Sequence, residues 1–240
     1  MNLNTYLYKE IIMQTTFNEF CSKSFEFREA LLRETKIIST AAELKHKDIA
    51  TLILADISSE HGHAIHILAK NLCSISASSL LRLQFESLLR AKWLYWVASD
   101  EVIERFNKPL TEQNVKQSEK RIPTINIILS ELELKVEEGK VPKKALMLMQ
   151  EFKNMALKAS NSYVHSGMHA FSRRKDGFPE PLMIQILQNS NGLEALKAML
   201  LATLIQSNEI MQEVLNLQYI YLDCLPMHTP EIMDRFYGIS

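Results

Sequence analysis

The stretch "NSYVHSGMHAFSRR", residues 161–174, gathers side chains capable of acid–base and charge chemistry. Asn161, His165 and His169 recur every fourth residue, Lys158 lies just upstream, and Arg173 and Arg174 follow. On a continuous helix Lys158, Asn161, His165, His169 and Ser172 fall within about 80° of one another. Beside them runs an apolar stripe of Leu157, Val164, Met168 and Phe171, expected to be the packed face. An imidazole titrates at about pH 6.5, so His165 can take a proton and return it at neutral pH. Asn161 would orient that imidazole or a phosphate. Lys158, His169, Arg173 and Arg174 are the candidate ligand-binding groups. The plainer reading is a packed helix with an ordinary polar flank.

A second row stands in "LLRLQFESLLRAKWLYW", where Arg82, Glu86 and Arg90 occupy i, i+4 and i+8 with Trp93 beside them. Leu80, Leu81, Leu83, Phe85, Leu88, Leu89, Leu94, Tyr95 and Trp96 cover nearly every other direction. A helix apolar all round is central in a bundle. The row then has two readings. It stitches helices or subunits together, each pair contributing little. Alternatively an anionic ligand such as a phosphate neutralises the arginine that Glu86 leaves spare, since an unpaired buried cation is costly. In the second reading Arg82 and Glu86 join the catalytic set and Arg90 the ligand-binding set.

"EHGHAIH" adds His61, His63 and His66. Glu60–His63 and Glu43–His46 both have Glu-x-x-His spacing, which with Glu86 and Glu194 allows a di-metal carboxylate bundle as a third possibility. A solvent-facing histidine-rich turn, loosened by Gly62, is the simpler account.

The elements that must position these groups read as helices. Spacing predicts helices over about 16–36, with Phe17, Phe20, Phe25, Leu31 and Leu32 inside, and over about 48–70 and 75–98. A short helix follows, capped by Asp100 and stopped by Pro109. Residues 111–121 read as a solvated helix or linker, and an amphipathic helix after Pro123 stops at Gly139. One long helix is expected over about 143–170, then a loop through "SRRKDGFPEP", then a helix over 191–217 opened by Asn191. Thr229 and Pro230 predict a short last helix, about 230–237. No strand pattern and no repeat emerges. The expected fold is all-α, a bundle of about seven helices in one domain spanning 1–240, with its core over about 16–217.

Only 6 glycines and 7 prolines occur in 240 residues, which favours helices over a turn-rich sheet protein. The net charge of -1 excludes a broad positive field, so any nucleic-acid surface must be local. Cys21, Cys73 and Cys224 are unpaired in spacing and read as reduced thiols. No signal peptide or membrane span is expected, and the cytoplasm is the expected compartment.

The segment "LLRLQFESLLRAKWLYWVASDEVIERF", with "NSYVHSG" some way downstream, resembles a group of bacterial helical proteins that in turn resemble the HEPN superfamily. The resemblance covers about residues 45–172. It implies a dimeric, HEPN-like helical bundle that binds RNA or nucleotide, without cofactor or metal. It also implies a metal-independent endoribonuclease of bacterial defence or toxin–antitoxin type, with an arginine, a polar residue and a histidine along one helix. Asn161 takes the polar place and His165 the histidine place, whereas the arginine place falls on Ser160. Charge stabilisation would then come from Lys158, Arg82 or Arg90. The alternative function is a non-catalytic helical dimerisation or interaction module with a protein partner.

Overall fold

The computed structural model describes residues 3–36, 44–109, 111–112 and 122–226; the side chains of residues 3–15, Met155 and Lys158 lie outside that set. Among the described residues there are ten α-helices and no strand. They are α1 (Leu3–Thr35), α2 (His46–Lys70), α3 (Ser74–Trp96), α4 (Asp100–Asn107), α5 (Ile125–Glu137), α6 (Lys143–Phe152), α7 (Lys158–Val164), α8 (Met168–Asp176), α9 (Glu180–Leu204) and α10 (Asn208–Ile220).

Helices α2 and α3 form a tight antiparallel hairpin, turned at Leu72 with a φ of 58°. Small residues allow the approach: Ala55, Ser58, Gly62 and Ala69 of α2 and Ala77 of α3 are buried. A Cβ on Gly62 would lie 2.7 Å from Gln84 Nε2. Gly62 is thus a close-approach residue inside a helix, not the loosened turn its surroundings suggest. Helix α9 runs alongside α3, with Ser190 Oγ donating to Gln84 Oε1 at 2.8 Å and the Tyr95 hydroxyl donating to the Thr203 carbonyl at 3.4 Å. Helix α1 lies across α9 and α2. Phe27 and Leu31 of α1, Ala195 and Ala198 of α9, and Val214 of α10 form one apolar cluster. The larger cluster surrounds α3, where Phe85, Leu88, Leu89 and Leu94 are fully buried and Phe85 stacks on Phe152 of α6 at 4.9 Å. The all-helical expectation and the central place of α3 hold.

Several boundaries differ from the sequence reading, each for a physical reason. Phe25, expected inside, is 40% exposed. The inward face of α1 is instead Phe20, Ser24, Phe27, Arg28 and Leu31, and residue 25 lies roughly 140° round the helix from Phe20. The helix expected over 143–170 is three helices. A π-helical turn, Lys153–Leu157, joins α6 to α7, and the chain breaks at His165–Gly167, where Ser166 takes a φ of 49°. At that break Ser162 Oγ accepts from the His169 amide at 3.0 Å and caps α8. Gly167 is needed there, because a Cβ would meet Ser162 Oγ at 2.8 Å.

The loop expected around 171–192 shrinks to residues 177–179. Pro181 opens α9 in place of breaking the chain, so Asn191 sits mid-helix and fully buried. Ser99, not Asp100, precedes α4 as its cap residue. The helix expected over 191–217 is divided at Ile205–Ser207, where Ser207 Oγ caps α10 by accepting from the Ile210 amide. These divisions raise the count from about seven to ten. Gly139, with φ 72°, follows α5 as expected. The linker at 113–121 and the helix expected at 230–237 lie outside the described residues. Among the described residues no helix is long and apolar enough to cross a membrane.

Candidate functional site

The row on α3 forms as its spacing requires. Arg82 Nε donates to Glu86 Oε1 at 2.6 Å and Arg90 donates to Glu86 Oε2 at 3.1 Å. All three side chains are half-buried to nearly buried, at 23%, 14% and 27% exposure for Arg82, Glu86 and Arg90. Glu86 therefore gives one oxygen to each arginine. Next to the row, Trp93 Nε1 donates to Glu131 of α5 at 2.5 Å, which adds a second carboxylate. The two arginines share this one carboxylate, and Arg90 Nε is buried without a hydrogen-bond partner among the described residues.

Helix α7 packs directly against α3. Its Ser160, in the arginine place of the HEPN pattern, is buried and donates to the Ala156 carbonyl at 2.9 Å. Asn161 and His165 are exposed at its outer side. The backbone of Lys158 opens α7, while its side chain lies outside the described set. Because the helix ends at Val164, the continuous polar line through His165 and His169 does not form. His169 instead begins α8, exposed, with its ring 6.3 Å from that of buried Tyr163.

The same break divides the packed stripe expected from Leu157, Val164, Met168 and Phe171: Leu157 packs on the main core, and the other three are exposed. Helix α8 turns Ala170 inward, leaving Met168 73% and Phe171 62% exposed, while Val164 stands at the exposed margin. Arg173 is half-buried, and Arg174 and Lys175 are exposed. So His165, Asn161, His169, Arg173 and Arg174 gather along the α7–α8 edge, and Arg82, Glu86 and Arg90 form a separate, internally paired row on the helix behind it.

A cluster the sequence reading did not assemble lies where α1, α2 and α9 meet. Arg28 donates to the Ser59 carbonyl at 2.8 Å and to Ser59 Oγ at 3.2 Å. Ser59 Oγ donates to Glu194 Oε1 at 2.8 Å, and Lys197 pairs with that same oxygen while donating to Ser59 Oγ at 3.0 Å. All four residues are at most 5% exposed. Burial pushes the Glu194 carboxyl up, but the Lys197 and Arg28 charges and the hydrogen bonds from Lys197 and Ser59 hold it below the usual carboxylate range. Beside it runs a chain of neutral hydrogen bonds. Asn191 Nδ2 donates to Ser24 Oγ at 2.7 Å, Ser24 to His66 Nε2 at 2.9 Å, and His66 Nδ1 to the Gly62 carbonyl at 2.9 Å. Burial lowers the His66 pKa, so the imidazole is the neutral tautomer that this chain requires. Nothing in the sequence flagged Arg28, Ser59 or Lys197; the only available signal was polar residues on inward faces of three separate helices.

The same contacts account for the groups of the di-metal possibility. His63 lies 3.5 Å from Arg28, Glu86 is held by two arginines and Glu194 by Lys197, while Glu43 lies outside the described residues. Among the described residues no three His, Cys, Asp or Glu side chains are placed to hold a metal ion. Cys21, Cys73 and Cys224 are free thiols.

No match was found among curated proteins or among solved structures. A family model described as a family of unknown function, DUF6988, matches residues 55–227, which takes in α2 from its middle onward, the α3 row, the α7–α8 edge and α9. The match covers well over half of the chain, which therefore belongs to the DUF6988 family.

Proposed function

We propose that this chain is a HEPN-like helical protein that binds single-stranded RNA along the α7–α8 edge without cutting it. The outer face of α8 carries the reading. Met168, Phe171 and Lys175 stand there at i, i+3 and i+7, all exposed, with Arg174 flanking Phe171. An exposed ring among cations offers a base a stacking surface and its phosphate a counter-charge, with stacking contributing about 1–3 kcal/mol per base. Asn161, His165 and His169 border this face and supply donors and acceptors.

Binding is favoured over hydrolysis by two contacts. Ser160, at the arginine place of the HEPN pattern, is turned into the core, and the α3 guanidiniums are engaged by Glu86. A phosphorane-like transition state would lack the fixed guanidinium fork that the HEPN pattern implies.

Fluorescence anisotropy with a short labelled oligouridine tests the reading. Phe171→Ala and Arg174→Glu should each weaken binding about 10-fold or more with unchanged melting temperature. Affinity should fall steeply as salt rises from about 50 to about 200 mM. Absence of binding at low salt, or binding indifferent to both variants, removes the proposal. Cleavage of tRNA in EDTA that disappears in His165→Ala would replace it with a nuclease. Loss of a protein complex in the same α8 variants, without RNA affinity, would point to the interaction module.

A further inference from the structure

Between α1 and α2, above α9, lies a hollow of about 660 Å³, within the range of about 300–1,000 Å³ usual for small-molecule sites. Its apolar lining includes Leu32 of α1, Leu52 of α2 and Leu201 of α9. Charge is divided between its two walls. Glu29, Arg33 and Lys36 stand on the α1 wall, and buried Arg28 lies 3.5 Å from Glu29, which leaves that wall positive. Asp56 is the charged residue of the α2 wall. Arg33 and Asp56 are both exposed, and among the described residues neither has an ion-pair or hydrogen-bond partner. The floor carries Lys197, only 3% exposed. An ammonium has three donors to satisfy. Glu194 Oε1 and Ser59 Oγ take two of them, and the third has no acceptor among the described residues.

We infer that this hollow binds a short peptide with free termini and apolar side chains, a dipeptide or tripeptide. The peptide carboxylate lies against Arg33 and the spare donor of Lys197, its ammonium against Asp56, and its side chains against Leu32, Leu52 and Leu201. A hollow positive on one wall and negative on the other selects a guest with both charges. Asp56 disfavours a phosphate or a simple fatty carboxylate, and the α1 wall disfavours a simple amine. An extended chain advances about 3.3–3.6 Å per residue, and packed helix axes lie about 8–10 Å apart, so two or three residues carry their opposite ends from one wall to the other. The carboxylate end contributes more, because it meets a donor already withdrawn from water. The hollow shares no residue with the α7–α8 edge, so this site does not depend on RNA binding there.

Isothermal titration calorimetry with leucyl-leucine, its N-acetyl form and its C-terminal amide tests the site. Leucyl-leucine should bind with a Kd of about 0.1 mM or tighter. Amidation removes the charge that faces Lys197 and Arg33 and should weaken binding about 10-fold or more, whereas acetylation should weaken it about 3–10-fold. Asp56→Asn should weaken leucyl-leucine as much as acetylation does and leave the affinity for the acetylated peptide unchanged. Arg33→Ala should weaken the free peptide more than the amide. Both positions are exposed, so the melting curves of the two variants should match that of the wild type. No heat of binding at millimolar leucyl-leucine, or equal affinity for the free and capped peptides, overturns the inference. So does an Asp56→Asn variant that weakens the free and acetylated peptides alike.

Discussion

Two groups in this molecule share one composition, a carboxylate between two cations, and differ in nearly everything else. On α3, Glu86 lies between Arg82 and Arg90 on successive turns of one helix, with water in reach of all three. At the meeting of α1, α2 and α9, Glu194 lies between Lys197 and Arg28, with Ser59 bridging them and water excluded. In the first group the charges keep part of their hydration and the attraction is screened. In the second all three ions have left water, and only their mutual arrangement compensates the lost hydration. The same three charges are therefore a minor surface feature in one place and a constraint on the whole fold in the other.

The largest effect should follow from emptying the centre of the buried group. Glu194→Ala leaves Lys197 buried without its counter-charge and Arg28 with only Glu29, and should cost about 3–5 kcal/mol, a fall of roughly 10 °C in melting temperature. A loss no larger than that of Glu86→Ala would erase the contrast.

Lys92 sharpens it from the other side. This lysine of α3 is 2% exposed, its ammonium 5.5 Å from the Trp96 ring, and burial pushes its pKa down to about 7. Between about 7 and the ordinary 10.5 the unfolded chain holds a proton that the folded chain has released. Stability should therefore rise with pH across that window. Lys92→Met should be more stable than wild type by about 1–4 kcal/mol at neutral pH and should lose that slope. Urea unfolding at neutral and alkaline pH measures both. A destabilised Lys92→Met with the slope intact would show that burial alone does not set the cost of an ion here.

The smallest effect belongs to the α3 row. Glu86→Ala should cost under about 1 kcal/mol, and the difference should shrink in high salt, whereas that of Glu194→Ala should persist. Thermal melts of both variants with and without added sodium chloride give the comparison directly.

What was legible along the chain divides in the same way. Arg82, Glu86 and Arg90 were read in register because one helix brings them together by its own periodicity, and the surrounding leucines placed that helix at the centre. The α7–α8 edge was legible as a set of residues but not as a surface. One positive φ at Ser166 ended the helix, cut the polar line at His165 and turned Met168 and Phe171 from an expected packed stripe into an exposed one. Ser162 and Gly167 make that break, and their roles depend on a contact between consecutive helices that periodicity cannot express.

By itself the sequence determined the helical class, the central position of α3 and the ion row upon it, since these rest on spacing within one continuous helix. The tertiary structure alone decided that Arg28, Ser59, Glu194 and Lys197 meet, that Asn191 lies inside a helix and does not open one, and that Ile49, Ile53 and Ile57 of α2 are exposed among the described residues. Those outcomes depend on which faces of distant helices come together, and that is settled by packing around the shared core.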